Sequence, residues 1–239
     1  TNREALATIA RETDGIFEIA RTPDDLTRIL STLFTRTQRE QTAVLQEASI
    51  SPGDIHSYFM EIEPDTTTVF AALDWSGGDI DLSLTAPDGR LIDTASAVGA
   101  GQGLEAETFD VIRLDQPAPG RWKVEVKAVH IAPQGEPYTL RAAVAGNGLH
   151  LGWQVSGGGA SVGVPVIIAP RPSQPVRWLR SRATVRDGRG QMVFRGRVPY
   201  RSNAGFVIPA IKEGGDHLVR LEVNGKITGG GRFSRVFDR

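Results

Sequence analysis

The nearest approach to a nucleophile motif in this chain is Gly159-Ala160-Ser161-Val162-Gly163, which matches Gly-x-Ser-x-Gly. A nucleophile elbow needs a strand before it and a helix after it, so that the hydroxyl stands at a helix N-terminus. Here Val164-Pro165-Val166-Ile167-Ile168 follows, an apolar β-branched run that reads as a strand, and the glycines become a loop between two strands. A Ser-His-Asp site would also have to recruit one of only four histidines, His56, His130, His150 and His217. These are too scattered to form a zinc motif, and no His-Glu-x-x-His occurs. Gly99, Gly101 and Gly103 lack the following helix of a nucleotide loop. Cysteine is absent, which removes thiol nucleophiles, thiolate metal sites and disulfides. The expectation is a chain with no enzymatic activity of its own.

Carboxylates offer the one metal chemistry in view. Asp79 and Asp81 share a strand face, Asp74 precedes them by a turn and Asp88 follows. Oxygen ligands so placed suit calcium, a hard cation. The competing reading is a solvated acidic face ending in an Asp-Gly turn.

Arginine supplies the remaining chemistry. Arg177, Arg180, Arg182, Arg186, Arg195 and Arg197 fall in one hairpin-rich stretch, and guanidinium forks suit phosphate, sulfate or carboxylate. Three partners compete for them. The preferred one is the chain's own acidic neighbour, within or between copies. An anionic glycan or lipopolysaccharide is the second. Nucleic acid is the least favoured, because few aromatics stand nearby to stack bases.

The acidic neighbour emerges from the charge distribution. Residues 147–239 carry 15 Lys plus Arg against 5 Asp plus Glu, whereas residues 41–146 carry 6 against 16. The near-neutral total of −1 over 239 residues hides this opposition. The boundary at Gly146-Asn147-Gly148 is itself a breaker cluster. With 40% hydrophobic and 23% charged residues the chain can build real cores, and no apolar run approaches the roughly 20 residues of a membrane helix.

Strands must position these groups. Stretches near 44–50, 55–62, 67–74, 80–85, 109–114, 122–129 and 138–144 are strand-length and bounded by turn residues, which predicts a sandwich over 41–146. Ile80, Leu82 and Leu84 alternate with Asp79, Asp81, Ser83 and Thr85, so one strand face is buried and the other wet. Alternation resumes at Leu149, Leu151, Trp153 and Val155. Asp187-Gly188 and Asn224-Gly225 read as hairpin turns, the second flanked by strands at 218–223 and 226–228. Residues 147–239 are therefore a second sandwich, immunoglobulin-like by turn spacing. Residues 1–40 read as helix, strand, helix. Leu26, Ile29, Leu30, Leu33 and Phe34 form an apolar stripe on the second helix, which requires a partner surface. The fold class expected is mainly β: two β-sandwich domains in tandem after a short N-terminal helix-strand-helix segment.

Leu6-Ala7-Thr8-Ile9-Ala10-Arg11-Glu12-Thr13-Asp14-Gly15, then Ile16-Phe17-Glu18-Ile19-Ala20 and Thr22-Pro23-Asp24-Asp25-Leu26, resembles the C-terminal end of a von Willebrand factor A domain. The resemblance implies that further strands and an Asp-x-Ser-x-Ser metal site precede this chain in a larger protein. Asp79-Ile80-Asp81-Leu82-Ser83-Leu84, the Asp88-Gly89 turn and Gly120-Arg121-Trp122-Lys123-Val124 are similar to pre-peptidase C-terminal β-sandwiches of bacterial secreted proteins. Together these resemblances imply an extracytoplasmic, non-catalytic binding, adhesion or spacer module, partnered by a protein or another copy of the chain. They also admit an accessory or targeting domain of a secreted hydrolase, and the arginines admit a polyanion-binding module.

Overall fold

A computed structural model describes residues 41–100, 102–157, 163–211 and 217–238. The helix-strand-helix segment expected over 1–40, its apolar stripe and Ser161 lie outside these. The described chain is mainly β, with two β-sandwiches in tandem.

The first sandwich is built from β1 (Gln41–Ile50), β2 (Ile55–Ile62), β3 (Thr66–Trp75), β4 (Asp79–Thr85), β5 (Leu91–Asp93), the six-residue helix α1 (Thr94–Gly99), β6 (Gly103–Ala106), β7 (Phe109–Asp115), β8 (Gly120–His130) and β9 (Glu136–Gly146). One sheet runs β1-β9-β3-β7-β6 and the other β2-β8-β4-β5, with every pairing antiparallel. Strict alternation on β4 sends Ile80, Leu82 and Leu84 inward. They meet Leu73, Ile112, Trp122 and Leu140 in a core sealed from water. Trp122 is buried whole because its ring nitrogen has a partner, the Ala118 carbonyl at 2.8 Å. The buried Asp110 on β7 ties the two sheets together: its Oδ2 accepts from the Leu82 amide at 3.1 Å and the Thr94 hydroxyl at 3.0 Å.

The second sandwich contains β10 (Leu151–Gly157), β11 (Val166–Pro172), β12 (Val176–Asp187), β13 (Met192–Arg197), β14 (Tyr200–Arg201), β15 (Gly205–Ile208), β16 (His217–Ile227) and β17 (Arg232–Asp238). Its sheets run β10-β11-β15-β14 and β13-β12-β16-β17. Between them lies a separate core around Ile168, Ala183, Phe206, Leu221, Val223 and Phe233.

The hairpin expected at Asn224-Gly225 is absent. Both residues lie inside β16, paired with Ser234 and Phe233, and the turn comes at 228–231, where Gly229 has φ of +78°. Gly225 has a packing reason. A Cβ there would stand 2.4 Å from Phe233 Cζ and 2.9 Å from the Arg177 carbonyl oxygen, so only glycine lets this ring lie across the strand. Among the described residues no helix is long and apolar enough to cross a membrane.

Candidate anion-binding groove

The four aspartates expected to hold calcium are not brought together. Asp74 sits on β3 in one sheet of the first sandwich, whereas Asp79 and Asp81 lie on β4 in the other. Asp88 follows the far end of β4, about 20 Å from Asp79 at 3.3 Å per strand residue, and its Oδ1 accepts from the Arg90 amide at 3.0 Å. Among the described residues no three His, Asp or Glu side chains cluster as metal ligands. Burial, and then the neighbouring Asp79, push the Asp81 carboxyl above its ordinary range, against the pull of Lys127.

The other motifs resolve into turns and packing. In the turn between β3 and β4, Glu136 Oε1 accepts from the Ser76 amide at 3.0 Å, the Ser76 hydroxyl at 2.8 Å and the Gly77 amide at 2.9 Å. A buried carboxylate thereby fastens this turn. His56 Nδ1 is 2.7 Å from the Tyr138 hydroxyl, His130 lies 3.8 Å from Asp79, and His150 faces Gln41 at 3.4 Å. These three histidines occupy three separate environments.

The six arginines divide between two surfaces. Arg177, Arg180, Arg182 and Arg197 line a groove of about 1050 Å³ that runs along β12 and takes in Pro199 and Tyr200 as well. Arg186 and Arg195 border a smaller cleft of about 90 Å³ that also includes Gln46 and Glu47 of the first sandwich. Strand register places Arg182 directly opposite Arg197 and Arg177 directly opposite Lys226, so two like-charge pairs flank the groove. Among the described residues no carboxylate stands within ion-pair distance of Arg177, Arg180, Arg182 or Arg197.

An irregularity shapes the groove. The pairing of β12 with β16 skips between Trp178 and Arg180. The extra residue, Leu179, is pushed out to 45% exposure, and the alternation resets so that Arg180 and Arg182 both face outward. Trp178 stays half-buried against Phe206 and Phe233, with ring centroids at 5.2 and 5.7 Å, and Tyr200 lies 5.4 Å from it, tilted by 40°. The groove is therefore an aromatic wall beside a row of guanidinium groups.

The contact between sandwiches uses residues that sequence reasoning did not single out. Arg235 on β17 reaches Glu63 Oε1 with Nη2 at 2.7 Å, Gln41 Oε1 with Nε at 2.5 Å and the Leu149 carbonyl with Nη2 at 3.0 Å. Thr66 donates to the second Glu63 oxygen at 3.2 Å. Burial lowers the Arg235 pKa, and Glu63 opposes that loss. Nearby, Arg220 on β16 bridges Glu47 at 3.2 Å and Asp238 at 3.1 Å. Burial alone would lower its pKa, yet these two carboxylates hold it above its ordinary value. Charge opposition across residue 147 was the available signal; which arginines answered it depended on strand register.

No family model and no curated protein matches this chain. Among solved structures it is similar to a Bacillus licheniformis lipase, BlEst2, in propeptide form, at TM-score 0.48 and 12% identity, over 82% of this chain and 40% of that one. It is also similar to a β-glucuronidase from Ruminococcus gnavus, at TM-score 0.26 and 10% identity, over 79% of this chain and 36% of that one. The glycoside hydrolase domain of Endo-D from Streptococcus pneumoniae R6 gives TM-score 0.27 and 10% identity, over 81% and 32%. This chain spans less than half the length of each.

Proposed function

We propose that this chain is a non-catalytic binding and spacer module of a larger extracytoplasmic protein of the von Willebrand factor A type, in which the two sandwiches act as one arm. The observation that supports this reading is the buried Glu63–Arg235 contact between them. A flexible linker would leave the two bodies free to reorient, and inter-domain contacts are ordinarily wet and polar. A desolvated ion pair with further hydrogen bonds to Gln41 and Leu149 fixes one relative orientation instead, because any rotation strands a buried charge. An arm of this kind holds a surface at a set distance and angle from whatever precedes it.

Small-angle scattering of the chain, with residual dipolar couplings measured on each sandwich, tests the reading. A single alignment tensor shared by both sandwiches is expected, and Arg235→Ala should split it into two. Independent tensors in the parent chain would overturn the arm. The family context is tested separately by the coding region before Thr1, where an Asp-x-Ser-x-Ser motif is expected.

A further inference from the structure

We infer that the groove between Trp178, Tyr200 and the arginines of β12 and β13 binds an acidic polysaccharide, a chain carrying carboxylate or sulfate groups on its sugars. This deepens the binding-module reading and rests on it, but not on the stiffness of the arm, which scattering measures independently.

The first ground is charge. Directly opposed like charges on neighbouring strands repel, and the groove keeps two such pairs, Arg182 opposite Arg197 and Arg177 opposite Lys226. The chain has acidic residues in plenty, and it uses them on Arg220 and Arg235 at the domain contact. Glu222 also lines the groove and stands opposite Arg182 in register, yet the two form no ion pair, and Glu222 Oε1 accepts from Gln46 at 3.3 Å. Repulsion of this kind is relieved by an external polyanion whose groups meet several guanidinium forks at once.

The second ground is the rest of the lining. Tyr200 and Leu179 are 39% and 45% exposed and offer apolar surface to the C–H faces of a sugar ring. Asn224 borders the same groove and accepts the Ser234 hydroxyl at 2.6 Å through Oδ1, which directs its amide hydrogens elsewhere, toward ligand hydroxyls. Single-stranded nucleic acid fits less well. Stacking of successive bases needs several free ring faces, whereas Trp178 already has Tyr200, Phe206 and Phe233 around it at 5.2 to 5.7 Å. Tyr200 is the one exposed aromatic ring among the described residues that line the groove. A peptide of Asp and Glu alone would use the arginines but has no ring to lay on Tyr200.

The test is calorimetric titration of the full chain, at low and moderate ionic strength, with heparin oligosaccharides and oligogalacturonate as sulfated and carboxylate-only probes. Polyglutamate and oligothymidylate are the comparison polyanions. At least one glycan should bind more tightly than both comparison polymers, with affinity falling as salt rises. Arg182→Gln/Arg197→Gln should weaken it about a hundredfold, at roughly tenfold per charge-assisted contact, without lowering the melting temperature. Tyr200→Ala should weaken it about threefold. In the parent chain the Trp178 indole N–H resonance should shift on titration, which locates the ligand without any variant. The inference is overturned if neither glycan binds, if polyglutamate or oligothymidylate binds as tightly, or if the double variant binds like the parent.

Discussion

Arg235 Nη2 lies 2.7 Å from Glu63 Oε1, and the two side chains, one on β17 of the second sandwich and one just past β2 of the first, are 4% and 2% exposed. A surface ion pair of this length would contribute little, because water screens it. Here removal of either partner leaves the other charge buried and unpaired.

Arg235→Ala and Glu63→Ala are each expected to destabilise the chain by about 3–5 kcal/mol, read from urea unfolding followed by tryptophan fluorescence. The paired replacement Glu63→Leu/Arg235→Met should cost less than either single change, since it removes both charges and keeps volume. Single variants that lose under about 1 kcal/mol would show that water reaches the pair.

Gly225 and Gly229 give opposed expectations for the same substitution. A methyl at Gly225 meets Phe233 Cζ at 2.4 Å and the Arg177 carbonyl oxygen at 2.9 Å, and the backbone oxygen cannot swing aside, so Gly225→Ala should cost about 3 kcal/mol. At Gly229, φ is +78° with nothing within 4 Å, so Gly229→Ala should cost only the left-handed strain, about 1 kcal/mol. Thermal unfolding of the two variants ranks them. The reverse ranking would place the true turn at Asn224-Gly225.

Glu136 should matter more through its oxygen than its charge. Glu136→Gln keeps an acceptor for Ser76 and Gly77 and is expected to cost about 1 kcal/mol, whereas Glu136→Ala strands three donors and should cost about 3 kcal/mol. Equal losses in chemical denaturation would contradict this.

Strands with one wet and one buried face were legible because alternation is local. Asp79 to Thr85 reads as a strand from seven residues, and the structure places it so. The short β5, β6 and α1 carry too few residues for a period, although the Asp93 cap on the Ser96 amide at 2.7 Å is a recognisable start signal. Asn224-Gly225 misled for a physical reason: glycine serves equally where φ must be positive and where a ring must cross the backbone. The arginine groove was half legible. Six arginines marked the stretch, but the skip at Leu179 that aligns Arg180 with Arg182, and the register that sets Arg182 against Arg197, come from pairing with strands distant in sequence.

Asp110 gives a pH dependence with an unusual sign for a carboxylate. Burial pushes its pKa up to about 6, against the lowering effect of the Leu82 amide and the Thr94 hydroxyl. In the unfolded chain the group titrates near 3.9. Between those values the native state binds more protons than the unfolded state, so this group's contribution to stability is full below about pH 4 and is lost as pH rises through 6. Two pKa units correspond to about 3 kcal/mol, an upper figure if water penetrates the site. Asp110→Asn keeps an oxygen for both donors and removes the buried charge. It should match the parent near pH 4 and exceed it by up to about 3 kcal/mol at pH 7. The comparison is urea unfolding of parent and variant across that range; parallel profiles would mean that Asp110 is ionised in the fold at little cost.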